Sequence, residues 1–222
     1  MLRVGLTGGL GSGKSTAAAM FAAKGAYVLS SDEIGRELMQ PGQAVYAEIV
    51  ARFGPGVVRA DGSLDRPALA RIAFGGGRIE ELNAIVHPAT IARQAALIDE
   101  IARRDPDAVA IVESALIFET KHGGEEGWQT RFDRIIFVRA SEELQIARFV
   151  ERSARGKDLS TEEHESLEAE ARRRMANQAE TERNAERCDY VLTNDGSVEN
   201  LQAQVDALWP VLKVAAKQPA SE

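Results

Sequence analysis

The chain has 222 residues, is 44% hydrophobic and carries a net charge of −7. That is apolar material for one large core, and the wrong sign of charge for broad contact with nucleic acid or an acidic membrane. A single cysteine, Cys188, excludes an intrachain disulfide framework, and His87, His122 and His164 are too scattered for a metal-binding spacing, so the cytosol is the expected compartment. No apolar run approaches the roughly 18 residues of a membrane span, and the N-terminal stretch reads as a strand rather than a signal peptide.

Leu2–Thr7 is a short apolar run suited to a buried strand, and it leads into Gly8–Ser15, which reads G-G-L-G-S-G-K-S. This is a complete G-x-x-x-x-G-K-[ST] phosphate loop, a pattern that arises by accident in about one chain in a hundred of this length. Helix-favouring residues follow from Ser15 to Ala23. Strand, loop and helix stand in the order that a triphosphate cradle requires. Gly11 and Gly13 allow the N–H groups around Ser12 to turn inward, and the helix adds its positive N-terminus. In such a cradle Lys14 reaches the β- and γ-phosphates of a nucleoside triphosphate, Ser15 is placed to ligate Mg²⁺, and Thr16 assists at the α- and β-phosphates. The competing reading, a glycine-rich turn with a lysine on the next helix, is disfavoured by the spacing.

Tyr27–Leu29 reads as a second strand, and Asp32 follows it closely enough to lie at the C-terminal edge of the sheet near the γ-phosphate. A base for an attacking hydroxyl belongs there. Ser30, Ser31 or Asp32 can equally cap the helix that contains Glu33–Met39, so two readings of Asp32 stand. Asp32–Gly35 also fits the D-x-x-G of GTPase switches, but that pattern is expected about once in a chain of this size. The guanine-reading Asn-Lys-x-Asp is absent, and Thr193–Gly196 does not replace it.

The stretch from Leu29 to Val109 far exceeds the ~10 to 12 residues that a crossover needs. It predicts helices over Ala44–Phe53, Pro67–Phe74, Ile79–Val86 and Pro88–Arg104, a helical substrate-binding insertion over 41–104. His87, before Pro88, reads either as a packing residue at a helix boundary or as an acid or ligand. Val109–Val112 is a third strand, and Glu113 at its end either holds a Mg²⁺-bound water or is an exposed strand-end acid. A fourth strand, Ile135–Val138, precedes a charge-dense region over 142–187. There Ser160–Glu163 resembles a capping box, and Arg148 and Arg152 share one helical face, fit to close over phosphates as a lid. Arg155, Lys157, Arg172, Arg173 and Arg174 read as a solvated hairpin. Tyr190–Leu192 is the fifth strand; Asn194 and Gly196 after it either line an adenine pocket or make a turn. Cys188 reads as a small buried apolar residue, and Lys213–Glu222 as a frayed tail.

Five apolar strands alternating with helices predict an α/β fold: one parallel sheet with helices on both faces and ligands beyond the C-terminal strand ends. The expected layout is a single domain over 1–212. Its core comprises 1–40, 105–141 and 188–212, with the insertion at 41–104, the lid at 142–187 and a tail at 213–222.

The ordered set of segments resembles the dephospho-CoA kinases. It comprises Gly5–Thr16, Ser31–Asp32, Pro41–Gly42, Phe53–Gly54, Asp61–Arg66, Val86–Pro88 and Leu116–Glu119, then Gln145 with Arg148 and Arg152, Arg174–Met175 with Gln178, and Cys188–Val191 ending in Asn194–Gly196. Order and spacing make it specific, because nucleoside monophosphate kinases share the loop and sheet but not the Asp-Gly-x-Leu-Asp-Arg and His-Pro segments. The resemblance implies a P-loop kinase fold and transfer of a phosphoryl group from Mg·ATP to the ribose 3′-hydroxyl of dephospho-CoA, the last step of coenzyme A biosynthesis. It further implies Asp32 as catalytic base, Lys14 and Arg148 on the phosphates, Asn194 with Gly196 at the adenine, and Asp32, His87 and Arg152 at the acceptor. The implied partners are ATP and dephospho-CoA, without nucleic acid or membrane, for a monomer or weak homo-oligomer. Two departures stand out: Ser30–Ser31–Asp32 where the family often has Asp-Ala-Asp, and Glu113–Ile117 where it often has Asp-x-Pro-Leu-Leu. Glu113 is then a candidate for part of the missing acidic role. The rival readings are a kinase for another nucleoside or nucleotide, a GTPase-like switch, and an ATP-binding subunit with mechanical turnover.

Overall fold

The computed structural model describes residues 1–118, 127–176 and 183–218. Among them the strands are β1 (Leu2–Gly8), β2 (Tyr27–Ser30), β3 (Val109–Glu113), β4 (Arg134–Arg139) and β5 (Tyr190–Thr193). They form one wholly parallel sheet of order β2-β3-β1-β4-β5. Strand order reverses at β1, so a crevice opens above its C-terminal end, where the phosphate loop begins.

The central strands are predominantly apolar because both of their faces are covered. Val4, Leu6, Ile111, Ile136 and Val138 pack with Phe21 of α1 (Lys14–Ala23) and with Leu201, Val205 and Leu212 of α8 (Val198–Ala216). On the other face Ala110, Val112 and Ile135 meet Ile98, Ile117 and Phe132. Fully burying such a side chain is worth about 1.5–3 kcal/mol. The last helix continues to Ala216, past the expected start of the tail at 213. Leu212 and Ala216 lie four apart and are both buried against the sheet, an apolar pair hidden in a stretch that otherwise reads as small and polar.

After α2 (Ser31–Leu38), which follows β2 directly, the insertion contains α3 (Ala44–Phe53), α4 (Arg66–Ala70) and α5 (Ile79–Arg104). It has its own apolar cluster, built on Ile49, Phe53, Val57, Leu64, Leu69 and Ile85. Two expectations are corrected here. The helix expected over Pro67–Phe74 stops at Ala70 and passes into one π-helical turn, Arg71–Gly75, where Arg78 N–H reaches Ala73 O at 2.8 Å. Three glycines, Gly75–Gly77, then release the chain. The break expected at His87–Pro88 is absent: α5 runs through Pro88 as one helix. An interior proline costs ~3 kcal/mol. Packing on both sides outweighs that, since Ile85 and Val86 belong to the insertion cluster while Ile98 and Ile101 belong to the sheet.

Beyond β4 a helical hairpin is formed by α6 (Glu142–Ala154) and α7 (Thr161–Ala176). Ile146, Phe149, Val150 and Ala171 make its core, joined by Leu10 of the phosphate loop. The capping box is present in full: Glu163 N–H donates to Ser160 Oγ at 3.2 Å, and Ser160 N–H to Glu163 Oε2 at 2.8 Å.

Candidate active site

From the end of β1 the loop turns back at Gly9–Gly13 to start α1. Gly13 precedes the helix with φ of 96°, and a Cβ there would lie 2.1 Å from Asn194 Nδ2, so the position admits only glycine. Asn194, buried after β5, donates Nδ2 to Ser12 O at 2.8 Å. Arg148 of α6 donates to Asn194 O at 2.9 Å and to Gly11 O at 3.4 Å. One turn earlier Gln145 is buried against Gly9 and Gly11 and donates to Ala140 O at 2.7 Å. The loop is thus braced from β5 and from α6.

Lys14 Nζ donates to Gly8 O at 2.9 Å and Gly9 O at 2.8 Å, folded over the mouth of the loop. Burial lowers the pKa of its ammonium from the ordinary lysine value; Glu113 and Asp32 oppose the effect, and Arg152 adds to it. Those four side chains therefore share one electrostatic neighbourhood, assembled from α1, α2, β3 and α6. Thr16 lies exposed in the first turn of α1.

Ser15 Oγ donates to Glu113 Oε1 at 2.6 Å, a contact made possible because Glu113 is paired with Leu6 in the parallel register of β1 and β3. A hydroxyl and a carboxylate opening on a cleft are hard oxygen donors, and they fit Mg²⁺ rather than a soft metal. Among the described residues no cluster of three or more His, Cys, Asp or Glu suits a metal ion, so such an ion would need phosphate oxygens and water to complete its shell.

The cap of α2 is Ser30, which accepts Glu33 N–H at 3.4 Å, so the capping role falls to Ser30 and not to Asp32. Asp32 is exposed in the first turn and lies where two cavities meet. One, of about 320 Å³, is lined by Ser15, Ser30, Asp32, Glu33, Arg36 and Glu113, beside the phosphate loop. The other, of about 510 Å³, lies between the insertion and the sheet and is lined by Asp32, Arg66, His87, Gln94 and Arg131 among others.

His87 lines that larger cavity from the middle of α5, not from a helix boundary. Arg152 is exposed on α6, and Gly196 is exposed in the turn after β5. The Asn194 amide is spent on the loop, which gives that side chain a bracing task and leaves the turn itself open. Cys188 is half-buried; burial, with Asp189 adding and Arg187 opposing, pushes its thiol up to about 12, an unreactive state at neutral pH. Glu119 and Gln178 lie outside the described residues.

Three contributors carried no role in the sequence reading. Gln145 is the brace already described. Gln94 is buried and donates to Ser31 Oγ at 2.8 Å, next to Asp32. Thr90 and Gln94, four apart and buried on the stripe that carries Ile98, were the available signal: polar residues on an apolar face mark a cavity wall. Arg131, which lines the same cavity, gives no signal in the sequence.

A braced phosphate loop at the centre of a five-stranded parallel sheet, with an acid beyond β2 and arginines from a helical hairpin, defines a P-loop kinase. The acceptor class then comes from comparison with known proteins. The family model described as dephospho-CoA kinase matches residues 2–200. The dephospho-CoA kinase of Symbiobacterium thermophilum is 41% identical over 207 residues, covering 93% of this chain and 79% of that protein. That of Moorella thermoacetica is 36% identical over 214 residues, covering 96% and 93%. Among solved structures, TT1252 from Thermus thermophilus superposes with a TM-score of 0.69 at 29% identity, covering 98% of each chain. The chain belongs to the dephospho-CoA kinase family, enzymes that use ATP and dephospho-CoA in the final step of coenzyme A biosynthesis.

Proposed function

We propose that the chain transfers the γ-phosphoryl group of Mg·ATP in line to the ribose 3′-hydroxyl of dephospho-CoA, with Asp32 as the base. The observation that carries this reading is the position of Asp32 at the junction of two cavities, one beside Ser15 and Glu113 and the other beneath the insertion. An acceptor in the larger cavity presents its hydroxyl to the Asp32 carboxylate. As the new O–P bond forms, the hydroxyl proton passes to Asp32, and the bond from the γ-phosphorus to the bridging oxygen breaks to release ADP.

Most of the catalysis is positioning and charge neutralisation. Lys14 turns from the loop carbonyls to the β- and γ-phosphates, and the amides of Gly11, Ser12, Gly13, Lys14, Ser15 and Thr16 hold the triphosphate. Ser15 would ligate Mg²⁺ and Glu113 would hold one of its waters; when bound, the ion would supply positive charge against the phosphates. Arg148 acts on the phosphates partly through the loop it braces, and Arg152 contributes a second positive charge close to Lys14. His87 lines the acceptor side, and the turn of Asn194–Gly196 borders the adenine of ATP. A single cysteine and the absence, among the described residues, of any helix long and apolar enough to cross a membrane fit a cytosolic enzyme.

The test is an acceptor panel. Purified protein with Mg·ATP should release ADP rapidly with dephospho-CoA and slowly with AMP, uridine or water, with coenzyme A as the product identified by mass. Faster turnover with AMP or uridine would overturn the acceptor.

A further inference from the structure

The larger cavity holds a positive charge that the described residues do not balance. Arg131 stands just before β4, half-buried, with Nη2 donating to Ile117 O at 3.2 Å and its guanidinium carbon 5.1 Å from the centre of the Phe132 ring. Nε of the same group is buried and, among the described residues, lacks a hydrogen-bond partner. Burial lowers its pKa from the ordinary arginine value, and no carboxylate of the described residues offsets that. Such a group is costly in a folded protein unless a partner arrives to satisfy it.

The walls narrow the chemistry of that partner. The charged lining of the cavity is Arg36, Arg66 and Arg131 against Asp32 alone, a local positive excess in a chain whose net charge is −7. Arg36 and Arg66 are exposed, whereas Arg131 lies further in, where water screens its charge least. Met39, Ile91 and Ile117 supply an apolar lining beside it. The complementary ligand carries negative charge on an otherwise uncharged body. Dephospho-CoA has that form, because its 3′-hydroxyl and its diphosphate spring from the same ribose.

We propose that Arg131 binds the diphosphate of dephospho-CoA and is a specificity determinant for the acceptor, an assignment that rests on dephospho-CoA being the substrate. The Ile117 carbonyl and the Phe132 ring fix the plane of the guanidinium, and Nε is left to donate to a phosphate oxygen. Asp32 and Arg131 then grip the two ends of one unit: the first orients the hydroxyl, the second anchors the charge. An interaction of this kind is equally strong in ground and transition states, so its loss belongs in KM rather than kcat.

The experiment is steady-state kinetics on Arg131→Met and Arg131→Lys, with Arg131→Gln in reserve should the methionine variant not fold. Arg131→Met should raise the KM for dephospho-CoA about 10²-fold while kcat and the KM for ATP stay within about threefold, and Arg131→Lys should recover about tenfold of the lost KM. A folded, uncharged variant with an unchanged KM for dephospho-CoA would overturn the proposal. So would parallel rises in both KM values, or a lysine variant no better than the uncharged one, since either result points to a structural role. Failure of the unmutated enzyme to turn over dephospho-CoA would instead count against the acceptor itself.

Discussion

Three acids stand near the phosphate loop, and their surroundings separate them. Glu113 accepts the Ser15 hydroxyl, Glu33 follows Asp32 in the turn capped by Ser30, and Asp32 alone lines both cavities. Asp32→Asn keeps size and hydrogen bonding but removes the proton acceptor. It should lower kcat by about 10² or more and leave the dissociation constant for ATP within about twofold. Stopped assays and ATP titration of the same preparation check both halves, and a variant with undiminished turnover would sink the assignment. At this scale legibility depends on distance along the chain. The loop is readable because Gly8 to Ser15 are contiguous, and Asp32 is half-readable because it follows a strand. The amide that braces the loop comes from Asn194, 182 residues from the Ser12 carbonyl it meets, and no local pattern announces such a pairing. Arg131 is silent for the same reason: its meaning lies in Ile117, Phe132 and a cavity closed by α5.

Elements are legible where their stops and starts are chemical. The reciprocal bonds of Ser160 and Glu163 begin α7 where a Ser-x-x-Glu pattern says they should, and Arg155 with Gly156, both at positive φ, end α6. Pro88 fails as a stop because packing at both ends of α5 overrides a local penalty that a sequence displays in full. The hairpin of α6 and α7 meets the body through Leu10, Gln145 and Arg148, all on or near α6, so the capping of α7 matters. Ser160→Ala removes one of the two reciprocal bonds and should destabilise the start of α7 by about 1 kcal/mol. Because the effect is local, it should appear as faster amide hydrogen exchange over 161–168, with little change in the exchange of β1 and β3. Uniform acceleration across the sheet would show instead that the hairpin and the core unfold as one unit.

For the whole molecule, the sheet core and the insertion core are separate apolar clusters, and the cavity of about 510 Å³ is the gap between them. The position of Arg131 beside that gap is held from β1. Arg3 of β1 donates from its backbone to Asp133 Oδ2 at 2.7 Å and from Nη2 to Asp133 Oδ1 at 2.7 Å, while Nη1 takes the Thr130 carbonyl at 2.9 Å. Thr130 and Asp133, which flank the Arg131–Phe132 pair, are therefore clamped by one guanidinium. Burial alone would raise the Asp133 carboxyl, but the hydrogen bonds and charge of Arg3, helped by Arg134, outweigh it and hold the group below its ordinary value. A depressed carboxyl contributes stability that is present above the unfolded value of ~3.9 and is lost as pH falls through the folded value. Both partners are partly exposed, so solvent screening limits the contribution to about 1 kcal/mol. Asp133→Asn should therefore be less stable than the parent by about that much at pH 7, and the gap should close as the pH is taken below ~4, because the parent alone carries this titrating group. Urea unfolding of both proteins at pH 7, 5 and 3.5 measures the difference directly, cancelling every other acid they share. A gap that stays constant across that range would mean that Asp133 holds β1 and β4 together by shape and neutral hydrogen bonds, with no part played by its charge.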